Sequence, residues 1–305
     1  MTLCNIDDYR VSMSDRRRVS MYRDAMSKKV RRRVVCELGV GHVPLGLMAL
    51  QLGAERVYAL DEDPEALSYA LASVRDYGFS EERYITVCAD PKSAELPERV
   101  DVIVAEPLSS IGFSADTGGR MESARRRLLR PNGIMIPERV RCFAALAGPT
   151  QFAKQLKLWS GALSELLGSP ETSLEEVFRA TTQSMVISPS AILGDWEVWR
   201  TLDFQDASSH RQVRPLLLRA HRPGIAHGVA CCFEADLGSK LVLRTFPDAS
   251  PTPWQQAFTP FATSFRVNEG DEVYVQLMAS EQDFMGSQFE TDVLGTPARR
   301  DRAIG

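Results

Sequence analysis

Two glycines and two acids near the start of the chain have the types and the spacing that bind a nucleoside. Glu37 lies near the end of the apolar run that begins at Val34, and a tight Gly39-x-Gly41 follows it. Because glycine lacks a Cβ, it permits a sharp strand-to-helix turn and a close approach of a ligand to the backbone. Asp61 ends the next apolar run, where a carboxylate accepts hydrogen bonds from ribose hydroxyls. The spacing predicts a nucleoside site at the carboxyl ends of parallel strands.

The same turn argues against a dinucleotide. Val43 and Pro44 follow the turn where the third glycine of the dinucleotide fingerprint is expected. That glycine allows the close helix-to-strand packing under a pyrophosphate. We therefore favour a nucleoside without phosphates over NAD. An ordinary strand, turn and helix with an incidental acid is the alternative without a ligand.

Alternating strand and helix patterns position these residues. After a charged helix over residues 11–30, apolar runs predict strands at Val34–Leu38, Val57–Leu60, Tyr84–Cys88, Val100–Ala105 and Gly133–Ile136. Helical patterns lie between them, at Leu45–Leu52, Pro64–Tyr77 and Arg120–Leu129. This alternation predicts a mostly parallel α/β sheet with helices on both faces, a Rossmann-like domain over residues 1–148. Asp90 follows the third strand, where we expect it to meet an adenine amino group.

The pattern changes after Gly148. Two helical segments between residues 152 and 181 form a predicted arm, and short strands with alternating residues begin near Met185. The clearest strands are Val229–Phe233, Leu241–Thr245, Phe261–Val267 and Glu272–Met278. Turn residues separate them, which is typical of an antiparallel sheet or barrel. We predict a second, barrel-like domain over residues 149–305, with the boundary near 148.

Composition narrows the class of protein. The chain has 305 residues, 44% of them hydrophobic, and a formal net charge of −4. No run reaches the eighteen or so apolar residues of a membrane span, and the N-terminus lacks the pattern of a signal peptide, so we expect a cytoplasmic protein without a membrane partner. The six cysteines are scattered, which favours reduced thiols over disulfides or a metal site. The arginine clusters at 16–18 and 31–33 lack interleaved aromatic residues, so we expect solvated surfaces rather than nucleic-acid binding.

Three further stretches resemble one enzyme family. They are Met13–Arg23, the pair Val100–Glu106 and Leu128–Pro137, and the pair Pro251–Gln256 and Val267–Glu272. Together with the glycine turn, they resemble class I S-adenosylmethionine-dependent methyltransferases, and more narrowly the protein arginine methyltransferases. The resemblance extends over nearly the whole chain. It implies a Rossmann-like domain followed by a β-barrel domain for substrate binding and dimerisation, in which the helical arm near residues 152–181 forms a homodimer.

The resemblance also implies roles for individual residues. Arg18 would hold the cofactor carboxylate, and Glu106 and Trp254 would handle the methyl acceptor. The remaining cofactor-binding residues would be Glu37, Gly39 and Gly41 for the amino-acid moiety, Asp61 for the ribose, Asp90 for the adenine, and also Glu62 and Glu106.

The acceptor site departs from the family pattern. The second of the family's two loop glutamates falls on Ala115, and the neighbouring Asp116 is one methylene shorter than glutamate. Pro253 replaces the histidine of the family's Thr-His-Trp loop, and Tyr9 alone is placed to substitute for the aromatic segment over the cofactor. A guanidinium keeps its charge at neutral pH, so a single carboxylate leaves it less neutralised. A small substrate that brings its own carboxylate compensates more easily than a peptide.

These residues lead to a specific hypothesis and its alternatives. We expect N-methylation of a small guanidino or amino compound, such as free arginine or a natural-product intermediate, with Glu106, Asp116 and Trp254 at the acceptor. A protein arginine methyltransferase that uses Asp116 as its second acid is the first alternative. A non-catalytic scaffold of the same fold and an O- or C-methyltransferase of a natural-product pathway are the others.

Overall fold

The first part of the chain forms a parallel sheet. The computed structural model describes residues 14–41, 45–114, 116–168, 172–206, 215–279 and 289–293. Within them, the sheet has the strand order β3-β2-β1-β4-β5. The elements are α1 (Arg16–Ser27), β1 (Val34–Leu38), α2 (Leu45–Gln51), β2 (Arg56–Asp61), α3 (Pro64–Asp76), β3 (Tyr84–Cys88), β4 (Val100–Ala105), α4 (Thr117–Leu128) and β5 (Leu129–Ile136).

The register of this sheet brings the predicted site residues to one edge. Leu38 of β1 pairs with Leu60 of β2 on one side and with Ala105 of β4 on the other. All these pairs are parallel, so the residues that follow each strand meet at the carboxyl edge. The chain order reverses direction between β1 and β4, and ligands of open α/β sheets bind at such a switch point.

Helix α4 begins earlier than predicted. We placed its start at Arg120, because Gly118 and Gly119 read as a turn, but the helix begins at Thr117. A Cβ on Gly119 would lie 2.4 Å from Oδ1 of Asp116. The glycine therefore permits a close approach between the helix and the side chain that precedes it, a contact that a local pattern does not reveal.

The second part of the chain is antiparallel. In the described residues, one sheet has the order β7-β12-β10-β6-β8 with β11 beside β10, and another has the order β14-β13-β9. The elements are β6 (Arg139–Ala147), α5 (Thr150–Leu167), α6 (Thr172–Ala180), β7 (Gln183–Met185), β8 (Glu197–Asp203), β9 (Leu216–Arg219), β10 (Gly224–Asp236), β11 (Val242–Arg244), β12 (Gln256–Val267), β13 (Glu272–Ala279) and β14 (Phe289–Val293). The predicted fold class is confirmed.

Strand β6 lies in the antiparallel part. It pairs with β10 from Arg139 to Ala147, and with β8 on its other side. The change from parallel to antiparallel sheet thus falls between Ile136 and Arg139, whereas the domain boundary was predicted near residue 148. An isolated strand pattern does not specify its partner, because pairing depends on residues distant in sequence.

One hydrophobic core connects the two parts. Ile103 of β4, Phe113 of the following loop and Phe233 of β10 are buried in the same cluster. A smaller cluster around Phe152 and Phe258 anchors the start of α5 to the antiparallel sheet, with ring centroids 5.0 Å apart. The loop after β4 is therefore held between the two sheets.

The cysteines of the described residues are free thiols. Cys36, Cys142, Cys231 and Cys232 are buried, and Cys88 is exposed.

Among the helices of the described residues, none has both the length and the apolar character needed to cross a bilayer.

The Gly46→Ala substitution tests the packing of α2 on the sheet. A Cβ at this position would lie 2.6 Å from Oε2 of Glu37, 2.7 Å from Val57 and 2.9 Å from Tyr84. In an unobstructed helix, alanine would stabilise the protein by about 1 kcal/mol relative to glycine. We expect the opposite sign here, a loss of about 1–3 kcal/mol in the free energy of unfolding, because the crowded core must shift. Urea denaturation measures it, and a stabilised variant would contradict the packing.

Candidate active site

The glycine turn leaves open space at the carboxyl edge of the sheet. Gly39 and Gly41 have φ angles of +75° and +47°, which a residue with a Cβ rarely adopts. The amide of Gly39 donates to the carbonyl of Leu60, 2.8 Å away, which ties the turn to β2. A Cβ on either glycine would meet no described atom within 4 Å. The turn is therefore shaped by backbone conformation and has room above it for a ligand. Val43 and Pro44 lie outside the described residues.

Glu37 lies beneath this turn and is fully buried. Its Oε2 accepts a hydrogen bond from the Tyr84 hydroxyl at 2.9 Å, and the backbone amides of Leu45 and Gly46 at the start of α2 act to lower the pKa of the carboxyl. Burial nevertheless raises the pKa of Glu37 to about 8. Its Oε1 has no hydrogen-bond partner among the described residues. A buried, unpartnered carboxylate oxygen is suited to a cationic amino group.

Three acids lie at or just after the carboxyl ends of β2 and β3. Asp61 accepts backbone hydrogen bonds from Gly41 at 3.2 Å and from Asp63 at 2.9 Å. The adjacent Glu62 is exposed and forms an ion pair with Arg120 of α4, 3.0 Å away. Asp90 accepts from the backbone amide of Lys92 at 2.8 Å. All three therefore lie at the carboxyl edge, and Asp61 directly adjoins the glycine turn.

Arg18 and Glu106 form a buried ion pair beside the turn. Nη1 of Arg18 contacts both carboxylate oxygens of Glu106, and the two side chains are 1% and 22% exposed. Asp15 caps α1 by accepting from the Arg18 amide, and the Tyr22 hydroxyl of the same helix donates to the carbonyl of Ala105. Burial raises the pKa of Glu106, and the neighbouring Arg18 opposes that shift. We predicted separate roles for these two residues, and the structure joins them directly.

Trp254 covers the loop that begins at Glu106. Its indole Nε1 donates to the carbonyl of Leu108 at 3.1 Å, and its ring lies 5.9 Å from Cζ of Arg18. It also packs edge-on against Phe233, with centroids 5.6 Å apart. The structure therefore brings Trp254, Arg18 and Glu106 together, although Trp254 is distant from both in sequence.

Asp116 has a different neighbour. Its carboxylate forms an ion pair with Lys92, which follows Asp90. Its backbone is left-handed, with φ of +56°, at the junction between the loop and α4. The contacts of its side chain in the described residues are thus with the loop after β3 and not with Glu106. Ala115 and Tyr9 lie outside the described residues.

Sequence reasoning missed the contacts of helix α4. Arg120 pairs with Glu62, Ser123 donates to the carbonyl of Lys92 at 2.9 Å, and Arg127 donates to the same carbonyl at 3.0 Å. The interval of three or four residues between them was visible as one face of a helix. Nothing in the sequence identified the loop that this face contacts.

No protein-family model matches the sequence. An arginine N(omega)-methyltransferase of Streptomyces achromogenes subsp. streptozoticus is 27% identical over 250 residues, which cover 80% of this chain and 67% of that protein. A probable histone-arginine methyltransferase 1.3 of Arabidopsis thaliana is 26% identical over 257 residues, 79% of this chain and 47% of that protein. The chain thus spans about two thirds of the first relative and about half of the second.

Solved structures share the fold. A Trypanosoma brucei PRMT1 enzyme-prozyme heterotetrameric complex with AdoHcy has a TM-score of 0.79 at 19% identity, covering 94% of this chain and 93% of that one. Arabidopsis thaliana protein arginine methyltransferase 10 has a TM-score of 0.72 at 20% identity, covering 93% and 95%. The predicted resemblance to class I methyltransferases of the arginine methyltransferase type is confirmed.

Proposed function

We propose that this chain is an S-adenosylmethionine-dependent methyltransferase that methylates a nitrogen of a small guanidino or amino compound. The observation that carries the proposal is the contrast between the two halves of the site. The cofactor half has a full set of candidate residues around an open glycine turn. In the described residues, the acceptor half has one carboxylate, Glu106, because Asp116 contacts Lys92 instead.

The cofactor half fits the charge pattern of the proposed cofactor. When bound, S-adenosylmethionine supplies a methyl group on a positively charged sulfur. The unpartnered Oε1 of Glu37 suits the amino group, and Arg18 suits the carboxylate of the methionine moiety. Asp61 adjoins the open turn, where it would accept hydrogen bonds from the ribose hydroxyls, and Asp90, which follows β3, would hold the adenine. Gly39 and Gly41 leave the ligand room to approach the backbone.

The acceptor half holds the nucleophilic nitrogen of the acceptor in place, and methyl transfer needs little acid–base catalysis. Glu106 binds two N–H groups of a guanidinium, fixes its plane and draws positive charge toward the bound nitrogens. Trp254 covers the loop and excludes water, which strengthens this interaction. Since Arg18 also contacts Glu106, the carboxylate is shared between the arginine and the substrate. A carboxylate of the substrate would supply the negative charge that the second loop glutamate supplies in the family pattern.

The alternatives differ in the acceptor or in turnover. A protein arginine methyltransferase would need Asp116 to leave Lys92 and approach Glu106. An O- or C-methyltransferase would use the same displacement geometry with a different nucleophile. A scaffold would retain the fold without turnover.

Labelled cofactor separates these hypotheses. The protein is incubated with S-adenosylmethionine carrying a labelled methyl group, and with free arginine, other small guanidines and amines, or arginine-containing peptides. We expect label in at least one small guanidino or amino compound and none in peptides. Label in peptides but not in small compounds would contradict the proposed acceptor, and turnover of any acceptor would exclude the scaffold.

Cofactor binding is expected to release a proton from Glu37. With a pKa of about 8, the carboxyl is mostly protonated at pH 7 in the ligand-free protein. A cationic amino group beside Oε1 favours the carboxylate, so S-adenosylhomocysteine binding at pH 7 should release about one proton. The affinity for S-adenosylhomocysteine is therefore expected to rise with pH up to about 8 and to level off above it.

Calorimetry in two buffers of different ionisation enthalpy measures the proton release. The Glu37→Gln variant is the matched control, since its amide cannot titrate. A binding enthalpy of the wild type that is independent of buffer would show that no group is deprotonated on binding.

We also propose that the helical arm forms a homodimer. Leu158 and Leu166 of α5 and Val177 of α6 are exposed apolar residues on this arm. Exposed apolar clusters are typical of interaction sites. We expect light scattering after size-exclusion chromatography to give twice the chain mass, and Leu158→Glu combined with Leu166→Glu to give the monomer mass. A monomeric wild type at micromolar concentration would contradict the proposal.

A further inference from the structure

One face of helix α4 joins the cofactor loops to the acceptor loop. We name the residues of this face the α4 stripe: Asp116, which precedes the helix, and Arg120, Ser123 and Arg127. Their spacing of four, three and four residues places them on one side of the helix. The acceptor loop is defined as residues 106–116, which ends at the first member of the stripe.

Each member of the stripe contacts a loop that follows β2 or β3. Asp116 pairs with Lys92, and Arg120 pairs with Glu62 at 3.0 Å. The other two hold the backbone of the loop after β3: Ser123 donates to the Lys92 carbonyl at 2.9 Å, and Arg127 donates to that carbonyl at 3.0 Å and to the Ser93 carbonyl at 2.7 Å. Glu62 is next to Asp61 and Lys92 is two residues after Asp90. The stripe therefore contacts residues that lie one or two positions after Asp61 and Asp90, the proposed ribose-binding and adenine-binding residues.

The same helix begins where the acceptor loop ends. The ion pair of Arg18 with Glu106 holds the first residue of the loop, and the hydrogen bond from the Trp254 indole to the Leu108 carbonyl holds the loop near its start. Its middle is packed so closely that a Cβ on Gly112 would lie 2.7 Å from Phe233. Its last residue, Asp116, has a left-handed backbone conformation that few non-glycine residues adopt. Among the described residues, the ion pair of Asp116 with Lys92 joins this end of the acceptor loop to the loop after β3.

We propose that Lys92 and Asp116 are positioning residues that couple the cofactor loops to the acceptor loop. This inference rests on the proposed function. Ordering of the Asp90–Ser93 turn by bound adenosine is transmitted through the ion pair and the α4 stripe to the end of the loop that carries Glu106. Such coupling is a free energy that links two sites and is therefore measurable at either one. It also gives Asp116 a role that does not require contact with the acceptor.

The coupling is modest in size. Lys92 and Asp116 are 50% and 33% exposed, and exposed ion pairs change an equilibrium by roughly 1.5- to 5-fold. Loss of one pair should therefore weaken the transmitted effect without abolishing it, because Arg120, Ser123 and Arg127 remain.

Hydrogen exchange of the full-length protein tests the inference. Exchange of peptides covering residues 106–117 is measured with and without saturating S-adenosylhomocysteine. In the wild type we expect the ligand to slow exchange in these peptides. In Lys92→Met and in Asp116→Asn, the ligand should still bind, but the slowing should fall by about 1.5- to 5-fold. Lys92→Arg, which keeps the positive charge, should retain the slowing.

The controls separate coupling from a static structural role. Lys154→Met removes an exposed lysine from α5 and should leave the ligand effect unchanged. The inference would be overturned if the single variants kept the full ligand effect, or if exchange rose equally with and without ligand. It would also be overturned if Lys92→Arg lost the ligand effect in a folded protein. Binding by the wild type without slower exchange in the acceptor loop would sink only the coupling, whereas absence of binding would sink the proposed function as well.

Discussion

The Glu106→Gln substitution is expected to lower methyl transfer by 100-fold or more in kcat. The amide keeps the shape of the side chain but loses the charge that orients a guanidinium and draws positive charge away from its nucleophilic nitrogen. Removal of one preorganised electrostatic partner typically costs about 100- to 1000-fold. The measurement is transfer of labelled methyl to the best acceptor found in the small-compound panel.

Cofactor binding should respond differently in the same variant. Arg18 loses its buried anionic partner, so it becomes a stronger site for the cofactor carboxylate. We expect the affinity for S-adenosylhomocysteine to be unchanged or higher. Glu122→Gln, on helix α4, is the matched control and should retain full turnover. A parallel loss of affinity and turnover in Glu106→Gln would mean that Glu106 acts through the cofactor and not on the acceptor.

The Asp61→Asn substitution should weaken S-adenosylhomocysteine binding by about 10- to 100-fold. Hydrogen bonds to a charged acceptor contribute about 1.5–3 kcal/mol, and the amide keeps one oxygen but loses the charge. The remaining oxygen can accept one of the two backbone hydrogen bonds that the carboxylate accepts from Gly41 and Asp63, so part of this support of the glycine turn is retained. Isothermal titration calorimetry measures the dissociation constant.

Asp63 provides a close control for this variant. It is exposed, lies two residues away and caps helix α3 by accepting from the Glu65 amide at 2.9 Å. Asp63→Asn should bind S-adenosylhomocysteine with wild-type affinity, because asparagine also caps helices well. Equal weakening by both substitutions would point to loss of local structure or of general negative charge instead of a ribose contact.

The strands of the parallel sheet were predictable because their signal is local. Val34–Leu38, Tyr84–Cys88 and Val100–Ala105 were predicted with the bounds that the structure has. Val34–Leu38 and Val100–Ala105 are almost fully buried and mostly apolar, as parallel strands covered on both faces require. Tyr84–Cys88 lies at the edge of the sheet and is only partly buried, but its apolar residues still mark it as a strand. Their carboxyl ends then had to lie at one edge, so the positions of Glu37, Asp61 and Glu106 along that edge followed from strand order alone.

The contacts between distant segments were less predictable. Strand β6 has an unremarkable apolar pattern, and its place in the antiparallel sheet depends on β8 and β10, which come much later in the chain. Asp116 was a candidate second acid because it adjoins Ala115, where the family's second loop glutamate falls. The junction conformation and Lys92 direct it to the neighbouring loop instead.

The two-part architecture, the glycine turn and the acids at the carboxyl ends of the strands were predictable from the sequence, because they depend on residue type and short-range spacing. Which charged groups meet became visible in the folded chain. It paired Arg18 with Glu106 under Trp254, left Oε1 of Glu37 without a partner among the described residues, and turned Asp116 toward Lys92. Ion pairs and orphaned buried atoms depend on distances between segments remote in sequence, and folding alone brings those segments together.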